Sequence, residues 1–388
     1  MYAKRKNRLF QPTGKRANIA RLLIAAGVFC FALPGLADGE VQKLVTPADW
    51  SRFPTRTWPA TGSAAPCLAT SADLPDSASA ISLVVMSEID HRTIIASLSV
   101  EDRRDLTAKL DGPGIARLAV HGGLVVVLGA LIAASIPFWP ILMLLQGILI
   151  VFFFTLLHET IHETAFRTPW LNRAIATVTG FLILLPPAWF RYFHFAHHRH
   201  THDPDNDPEL MAPKPATIAQ YLRYLSGIPY WSGMARVIIV NAAGRNSDGF
   251  VPDKGRDKVI LEARWFLIAY AMLLAASLAA QSALLLWVWI VPALIGQPFL
   301  RAYLLAEHAL CPHVANMLEN SRTTFTTGLL RFVAWNMPYH SEHHSYPAVP
   351  FHRLPRFHQI VAEHLRMTER GYVRFHSKLV GSFDRHAG

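Results

Sequence analysis

The sequence contains few cysteines and few charged residues, and each shortage excludes classes of protein. Cys30, Cys67 and Cys311 are the only cysteines among 388 residues, and they have no paired spacing. They are too few for an in-chain iron–sulfur ferredoxin domain, and they provide no disulfide framework. Charged residues make up 16% of the chain, whereas about 25% is usual in globular proteins. This composition favours a membrane protein.

The formal net charge of +10 could indicate a nucleic-acid partner. However, the sequence has no basic stripe with interleaved aromatic residues, so we predict no nucleic-acid binding. The Lys and Arg residues lie mainly between the apolar runs, as the positive-inside rule describes for cytoplasmic segments. Their charge also suits anionic lipid headgroups or an acidic protein partner.

Long apolar runs predict four membrane-spanning helices in two hairpins, covering residues 118–139, 141–157, 265–280 and 284–300. The connections at 135–140 and 281–282 contain no Lys or Arg, which places them outside the cytoplasm. Residues 175–190, interrupted by a glycine and two prolines, predict an interfacial or re-entrant segment. The expected fold is an all-α, multi-pass protein of the inner membrane, with a helical cap on the cytoplasmic side.

The N-terminal part of the chain does not have the pattern of a folded domain. A basic start and the apolar stretch Leu22–Leu33 have the outline of a secretory signal peptide. Such a peptide, if cleaved, would reverse the expected topology. We instead predict a poorly ordered, dispensable extension over residues 1–85, with an over-extended reading frame as one explanation. The membrane domain is predicted over residues 86–388.

A helix is predicted near the start of this membrane domain. Ser99 and Asp102 form a capping-box pattern, which is typical of a helix N-terminus. The sequence Gly112-Pro113-Gly114 predicts that this helix stops after about Leu110.

Three histidine clusters are the main chemical signal. They are His158-Glu159-Thr160-Ile161-His162, His194-Phe195-Ala196-His197-His198 and His340-Ser341-Glu342-His343-His344. Spacings of three or four residues place the rings of each cluster on one face of a helix. Imidazole is a ligand for iron, zinc and copper, and these clusters offer more nitrogen atoms than one four-coordinate zinc ion can bind. The sequence therefore predicts two metal ions.

Histidines outside the clusters receive different predictions. His308 directly follows the last predicted span, near the expected plane of the metals, and is predicted to be a ninth ligand. His200 and His202 are expected beside the site or in solvent. No role at the site is predicted for the remaining candidates, which are His313, His352, His358, His364, His376 and His386.

The first cluster alone also matches the pattern of a zinc protease, with His158 and His162 as ligands and Glu159 as the base. An intramembrane protease of this kind also needs an aspartate ligand on a later span. The apolar run 265–300 contains no Asp or Glu. The protease is therefore a distant alternative.

The predicted ligands indicate a class of reaction. A histidine-rich set without thiolates, with open positions, suits non-haem iron that activates O₂. A site at the membrane boundary suits a lipid-like substrate lying in a groove between helices. The chain has no flavin, haem or iron–sulfur motif, so the electrons must come from an external carrier. Its cationic surface fits an acidic ferredoxin or a similar protein.

The order HxxxH, HxxHH and HxxHH, with spans before the first box and between the second and third, resembles the membrane fatty acid desaturase superfamily. The resemblance covers about Leu118 to His358 and includes the stretches that flank the boxes. The segment Pro347–Pro355 resembles the bacterial branch that also includes hydrocarbon-oxygenase-like proteins of rhizopine catabolism.

This resemblance implies two iron ions (Fe²⁺/Fe³⁺), O₂ as co-substrate and nine ligands: His158, His162, His194, His197, His198, His308, His340, His343 and His344. It implies an acyl-lipid substrate and a fatty acid desaturase that introduces a C=C bond. A hydroxylase or oxidative demethylase of the same superfamily is the close alternative. A histidine-rich metal transporter is disfavoured because the spans lack the polar residues of a transport path.

Overall fold

The computed structural model describes residues 90–383, most of which are helical. The predictions for residues 1–85 lie outside the described residues. The α-helices, in chain order, are α1 His91–Ser97, α2 Val100–Leu106, α3 Asp111–Ala133, α4 Trp139–Ile161, α5 Pro169–Leu182, α6 Pro187–His200, α7 Ile218–Leu225, α8 Ile228–Ala242, α9 Asp253–Ala279, α10 Val291–His308, α11 Met317–Asn320, α12 Gly328–Val333, α13 His340–Ser345, α14 Leu354–Val361 and α15 Tyr372–Phe383. Two short 3₁₀ turns, a π-helical turn and two strands complete the regular structure: Pro208–Met211, Ala362–His364, Leu286–Ile290, β1 Thr323–Phe325 and β2 Thr368–Arg370.

Within residues 90–383, four helical segments are long and apolar enough to cross a membrane, the number predicted from the sequence. They are Val100–Ala133, Trp139–Ile161, Asp253–Ala279 and Leu286–His308. Helices α3 and α9 form the outer surface, where Val126 and Leu274 are exposed. The most apolar stretches of the spans that contain α4 and α10 are far more buried than those that contain α3 and α9. Helices α4 and α10 pack chiefly against each other. They form the inner pair of spans, and they carry the predicted ligands His158 and His308.

The helix bounds differ from the sequence prediction at the ends of the apolar runs. Gly112-Pro113-Gly114 does not stop a helix, so that prediction is wrong: α2 already ends at Leu106, and this sequence lies in the first turn of α3. Proline is tolerated there because the first backbone N–H groups have no partner inside the helix. Pro140 likewise lies in the first turn of α4. The helix start predicted at Ser99 is confirmed, since Ser99 is the N-cap of α2 and its Oγ accepts the Asp102 N–H at 3.0 Å.

Two glycines allow α4 and α10 to cross with their backbones in contact. An ideal Cβ at Gly147 would lie 2.0 Å from the carbonyl oxygen of Pro292, and one at Gly296 would lie 2.3 Å from the carbonyl carbon of Gly147. Small residues are the usual means of such close packing in membranes. His158 follows Gly147 on α4, and His308 follows Gly296 on α10. Each histidine lies about three helical turns from the crossing, or about 17 Å along its helix.

The predicted interfacial segment is a bent pair of helices. Helices α5 and α6 meet at an angle of 98° across a break of a few residues that contains Pro186. Proline cannot continue a helix ladder, which explains the break. The bend places the second histidine cluster, on α6, beside the end of α4, where His194 contacts His162.

The segment after α10 forms a cap that holds the third cluster. Strands β1 and β2 pair in parallel, with Thr323 opposite Thr368. Leu156 of α4 and two fully buried aromatic residues of the cap, Trp335 and Phe351, belong to one continuous core. This shared core fixes α13, which carries the third cluster, against the end of α4.

Candidate metal centre

All nine predicted ligands lie at the ends of α4 and α10, where they form two groups of ring nitrogen atoms. The first donor group is His158, His162, His194, His198 and His343, whose nearest ring nitrogens all lie within 4.8 Å of one another. The second donor group is His197, His308 and His344, within the same limit, joined by His340, whose Nε2 is 2.9 Å from Nε2 of His308.

Each of the last two clusters contributes to both donor groups. His197 and His198 are neighbours on α6, and His343 and His344 are neighbours on α13. Successive residues of a helix point about 100° apart, so one ring of each pair faces each group. The expectation that a whole cluster shares one face therefore holds only in part, because the spacing within a cluster also includes adjacent residues.

The spacing of the nitrogen atoms matches ligands around a common ion. Nε2 of His158 lies 2.9 Å from Nε2 of His343, and Nε2 of His162 lies 3.0 Å from Nε2 of His194. An imidazole nitrogen lies about 2.1 Å from a bound transition metal, so adjacent corners of an octahedron are about 3.0 Å apart. The first donor group therefore has the geometry of a metal site.

Three of the four rings in the second donor group are oriented by a hydrogen bond at Nδ1, the nitrogen on the side away from the group. The hydrogen-bond partners of Nδ1 are Asp207 Oδ1 for His197 at 2.9 Å, the Asn320 carbonyl for His308 at 3.1 Å and Thr201 Oγ1 for His344 at 3.2 Å. Nδ1 of His340 lies 3.4 Å from Glu307 Oε1 and makes no hydrogen bond. With Nδ1 occupied, the rings of His197, His308 and His344 present Nε2 to the interior of the group. Outer partners of this kind orient histidine ligands in metalloproteins.

Burial keeps the inward nitrogens available for a metal. Both ring nitrogens of His198 and Nε2 of His344 are buried and have no protein partner. A buried polar atom without a partner is costly, and a bound ion removes that cost. Burial, followed by the nearby His197, lowers the pKa of His343 to about 3. The imidazole is therefore neutral near pH 7, with a free lone pair, as metal binding requires.

Other predicted residues lie around the two groups or face away from them. Glu159 turns from the donors and accepts a hydrogen bond from the Phe351 N–H at 2.8 Å, which is unlike the base of a zinc protease. His202 is buried, with Nδ1 3.0 Å from the carbonyl oxygen of Pro312. His200 is half-buried near Asp203. Neither belongs to a donor group.

The acidic residues beside the second donor group are not among the predicted site residues. Asp207 and Glu209 follow the second cluster in the run Asp203-Pro204-Asp205-Asn206-Asp207-Pro208-Glu209. A short acidic run directly after a histidine cluster was the available signal. Glu307 precedes His308 by one residue and could have been identified in the same way.

The comparisons with known proteins agree with this geometry. The family model described as fatty acid desaturase matches residues 133–376, well over half of the chain, including all nine histidines. An omega-6 fatty acid desaturase from Glycine max is 26% identical over 46% of this chain and 52% of its own length. Dihydrorhizobitoxine desaturase from Bradyrhizobium elkanii is 26% identical over 59% of this chain and 68% of its length.

A bovine relative, a sphingolipid delta(4)-desaturase/C4-monooxygenase, is 26% identical over 54% of this chain and 61% of its own length. The aligned part spans about half the length of the plant relatives. The chain belongs to the fatty acid desaturase family.

Proposed function

We propose that the protein is an O₂-dependent di-iron oxidoreductase that introduces a C=C bond into an acyl chain of a lipid. The observation that carries this proposal is the convergence of nine histidines into two donor groups at the end of apolar helices. The fatty acid desaturase family is a di-iron family. Nine histidines are also more than one zinc ion can use.

In this proposal the first donor group holds one iron ion and the second donor group holds the other. Bound iron supplies the activation of O₂. The chain itself orients the rings, through Asp207 and Thr201 among others. It also excludes water, since all the rings except His162 are almost fully buried. The shell around such a site controls solvent access and the reduction potential of the bound metal.

The lipid substrate is supported by the position of the site and by the relatives. The donor groups lie where α4 and α10 end, and the neighbouring outer helices expose apolar side chains to lipid. The name of the bovine relative includes both a desaturase and a monooxygenase. This favours hydroxylation, or oxidative demethylation, as the second candidate for the same site, because removal of a first hydrogen is common to these reactions.

We propose that the site faces the cytoplasm of the inner membrane and that a ferredoxin or similar acidic protein delivers electrons there. The turns between paired spans, residues 134–138 and 280–285, contain no Lys or Arg. Six cations are exposed on or between α7, α8 and the start of α9, in the part of the chain that links the two hairpins: Arg223, Arg236, Arg245, Lys254, Lys258 and Arg264. Such a surface attracts an acidic partner by long-range electrostatics.

Metal analysis and lipid mass spectrometry together test this proposal. The purified protein should contain about two iron ions per chain and little zinc. Cells that express it should contain a lipid that has lost two hydrogens. A lipid that gains one oxygen would select the hydroxylase instead. One zinc per chain, with metal exchange during purification excluded, would refute the di-iron proposal and favour the protease.

Replacing His343 with alanine tests the ligand assignment. His343 Nε2 contacts His158 Nε2 at 2.9 Å in the first donor group, so His343→Ala should lose iron and abolish turnover while the protein still inserts into the membrane. His364→Ala is the matched control, because His364 lies outside both donor groups. Near-normal iron content and activity in His343→Ala would contradict the assignment.

A further inference from the structure

Glu209 lies against the second donor group and is not one of the nine histidines. Its Oε2 is 3.2 Å from Nε2 of His197, and that nitrogen is also 3.2 Å from Nε2 of His308. We propose that Glu209 is a carboxylate ligand of the second metal ion, together with His197, His308, His340 and His344. This inference rests on the proposed di-iron function and adds a tenth protein ligand to it.

The contact has the length expected for two ligands of one ion. A carboxylate oxygen binds a transition metal at about 2.0–2.2 Å, close to the distance for imidazole nitrogen, so neighbouring ligand atoms are about 3.0 Å apart. The Glu209–His197 separation of 3.2 Å equals the His197–His308 separation. The Nε2 atom of His197, which faces the group, is the atom that Glu209 approaches. Its Nδ1 is already occupied by Asp207.

Local structure links Glu209 directly to a metal-binding ring. Asp207 caps the 3₁₀ turn Pro208–Met211, and its Oδ1 accepts the Glu209 N–H at 2.9 Å. The same oxygen lies 2.9 Å from Nδ1 of His197. Its second oxygen accepts the His202 N–H at 2.9 Å. One buried carboxylate therefore sets the positions of both His197 and Glu209, as expected where two ligands must be held in fixed relation.

Lys214 occupies the other oxygen of Glu209. The Lys214 ammonium group forms an ion pair with Oε1, which leaves Oε2 on the side of His197. This arrangement suits a carboxylate that binds an ion through one oxygen only. Imidazole ligands are neutral, so Glu209 would add an anionic ligand to the centre, with Lys214 balancing part of its charge. Carboxylate with histidine is an established ligand combination for non-haem iron.

With Glu209 as a ligand, the two donor groups have the same number of ligand atoms but differ in the elements that they offer. The first donor group offers five nitrogen atoms, and the second offers four nitrogen atoms and one oxygen atom. Each ion would then have five protein ligands. The two ions must differ spectroscopically, because only one has an oxygen ligand from the protein.

Glu209→Gln and Glu209→His test the proposal in the full-length protein. Iron per chain is measured during competition with a chelator, and Mössbauer spectra are recorded on protein loaded with enriched iron. Glu209→Gln should lose at least about 10-fold in affinity for one ion, with one Mössbauer component altered and the other unchanged. Glu209→His should bind two ions again, because it restores a ligand but cannot form the ion pair with Lys214.

Two control variants separate ligation from folding and from surface charge. Asp205→Asn removes the same charge from an exposed site on the same loop and should match the wild type. Lys214→Met breaks the ion pair but keeps the carboxylate, so it should retain two ions. If Lys214→Met loses the same iron as Glu209→Gln, the role of Glu209 is structural and the proposal is overturned.

Failure of the carboxylate ligand and failure of the proposed function give different results in these measurements. Wild-type affinity and spectra in Glu209→Gln, with two irons bound, would overturn the carboxylate ligand and leave the di-iron proposal standing. A wild-type protein that binds no iron pair would refute the function itself. If Glu209→Gln does not fold, Glu209→His decides: two bound ions support ligation, and the loss of one ion refutes it.

Discussion

Replacing Gly147 with alanine should separate the two helices that carry the metal site. At this position α4 touches the backbone of α10, and an added Cβ would lie 2.0 Å from the carbonyl oxygen of Pro292. Ordinary contact begins at 3.4 Å. The opposing atom belongs to the backbone and cannot rotate away. The helices must therefore move apart by the difference between these two distances, which is close to the length of a carbon–carbon bond.

The displacement is large compared with the tolerance of a metal site. If the helices separate as rigid bodies, His158 and His308 move apart by the full displacement. If the helices tilt about the crossing, these histidines move apart by part of it. Metal–ligand distances are tolerated to about ±0.2 Å, so even a third of the displacement exceeds the tolerance. Overpacking also costs about 1–3 kcal/mol in the free energy of unfolding. We therefore expect Gly147→Ala to lose iron and to lower Tm by several degrees.

Iron content and thermal unfolding in detergent measure the two effects. Gly296→Ala should behave in the same way, because its Cβ would meet the backbone of Gly147. Gly123→Ala on α3 is the matched control, since nothing lies within 4 Å of its Cβ. That variant should equal or slightly exceed the wild type in stability. If Gly147→Ala keeps full iron content and wild-type Tm, the crossing does not position the site.

Two further predictions concern the support of the second donor group and the start of the chain. Asp207→Asn leaves His197 with a weaker and less well-oriented partner, so affinity for one iron should fall about 10–100-fold in chelator competition, with helix content by circular dichroism unchanged. Unchanged affinity would show that Asp207 does not orient the ring. A chain that begins at Met86 should insert into membranes and retain turnover, because the spans and all nine histidines follow that residue. Complete loss of both would contradict the proposal that residues 1–85 are dispensable.

The sequence predicts the number of candidate spans well and their ends poorly. Apolar runs report the part of a helix that contacts lipid, whereas the helical hydrogen bonds continue into polar sequence. Helix α9 begins at Asp253, within a charged stretch, although the predicted span begins at 265. Proline also predicts a break in Gly112-Pro113-Gly114 and in the connection 135–140, whereas Pro113 and Pro140 each lie in the first turn of a helix. Periodicity does not distinguish a proline that ends one helix from a proline that begins the next.

The histidine spacing predicts which residues meet but not how they divide between the two groups. Adjacent histidines such as His343 and His344 point in different directions on a short helix. Their assignment depends on how that helix is oriented against α4. That orientation is set by the core of Trp335, Phe351 and Leu156, which are far apart in the sequence. Single-sequence patterns carry no information on such contacts.

The acidic residues around the second donor group explain why a histidine count alone describes the site incompletely. Asp207 and Glu209 belong to the loop after α6. Hydrogen bonds of Asp207 to His197 and to the Glu209 N–H place both acidic residues beside the donor group. A neutral nitrogen cluster and a cluster with one carboxylate differ in charge, and charge affects which oxidation state of iron is favoured. If Glu209 is a ligand, the two iron sites should be reduced at different potentials. Glu209→His should bring those potentials closer together, as a redox titration of the iron-loaded protein would show.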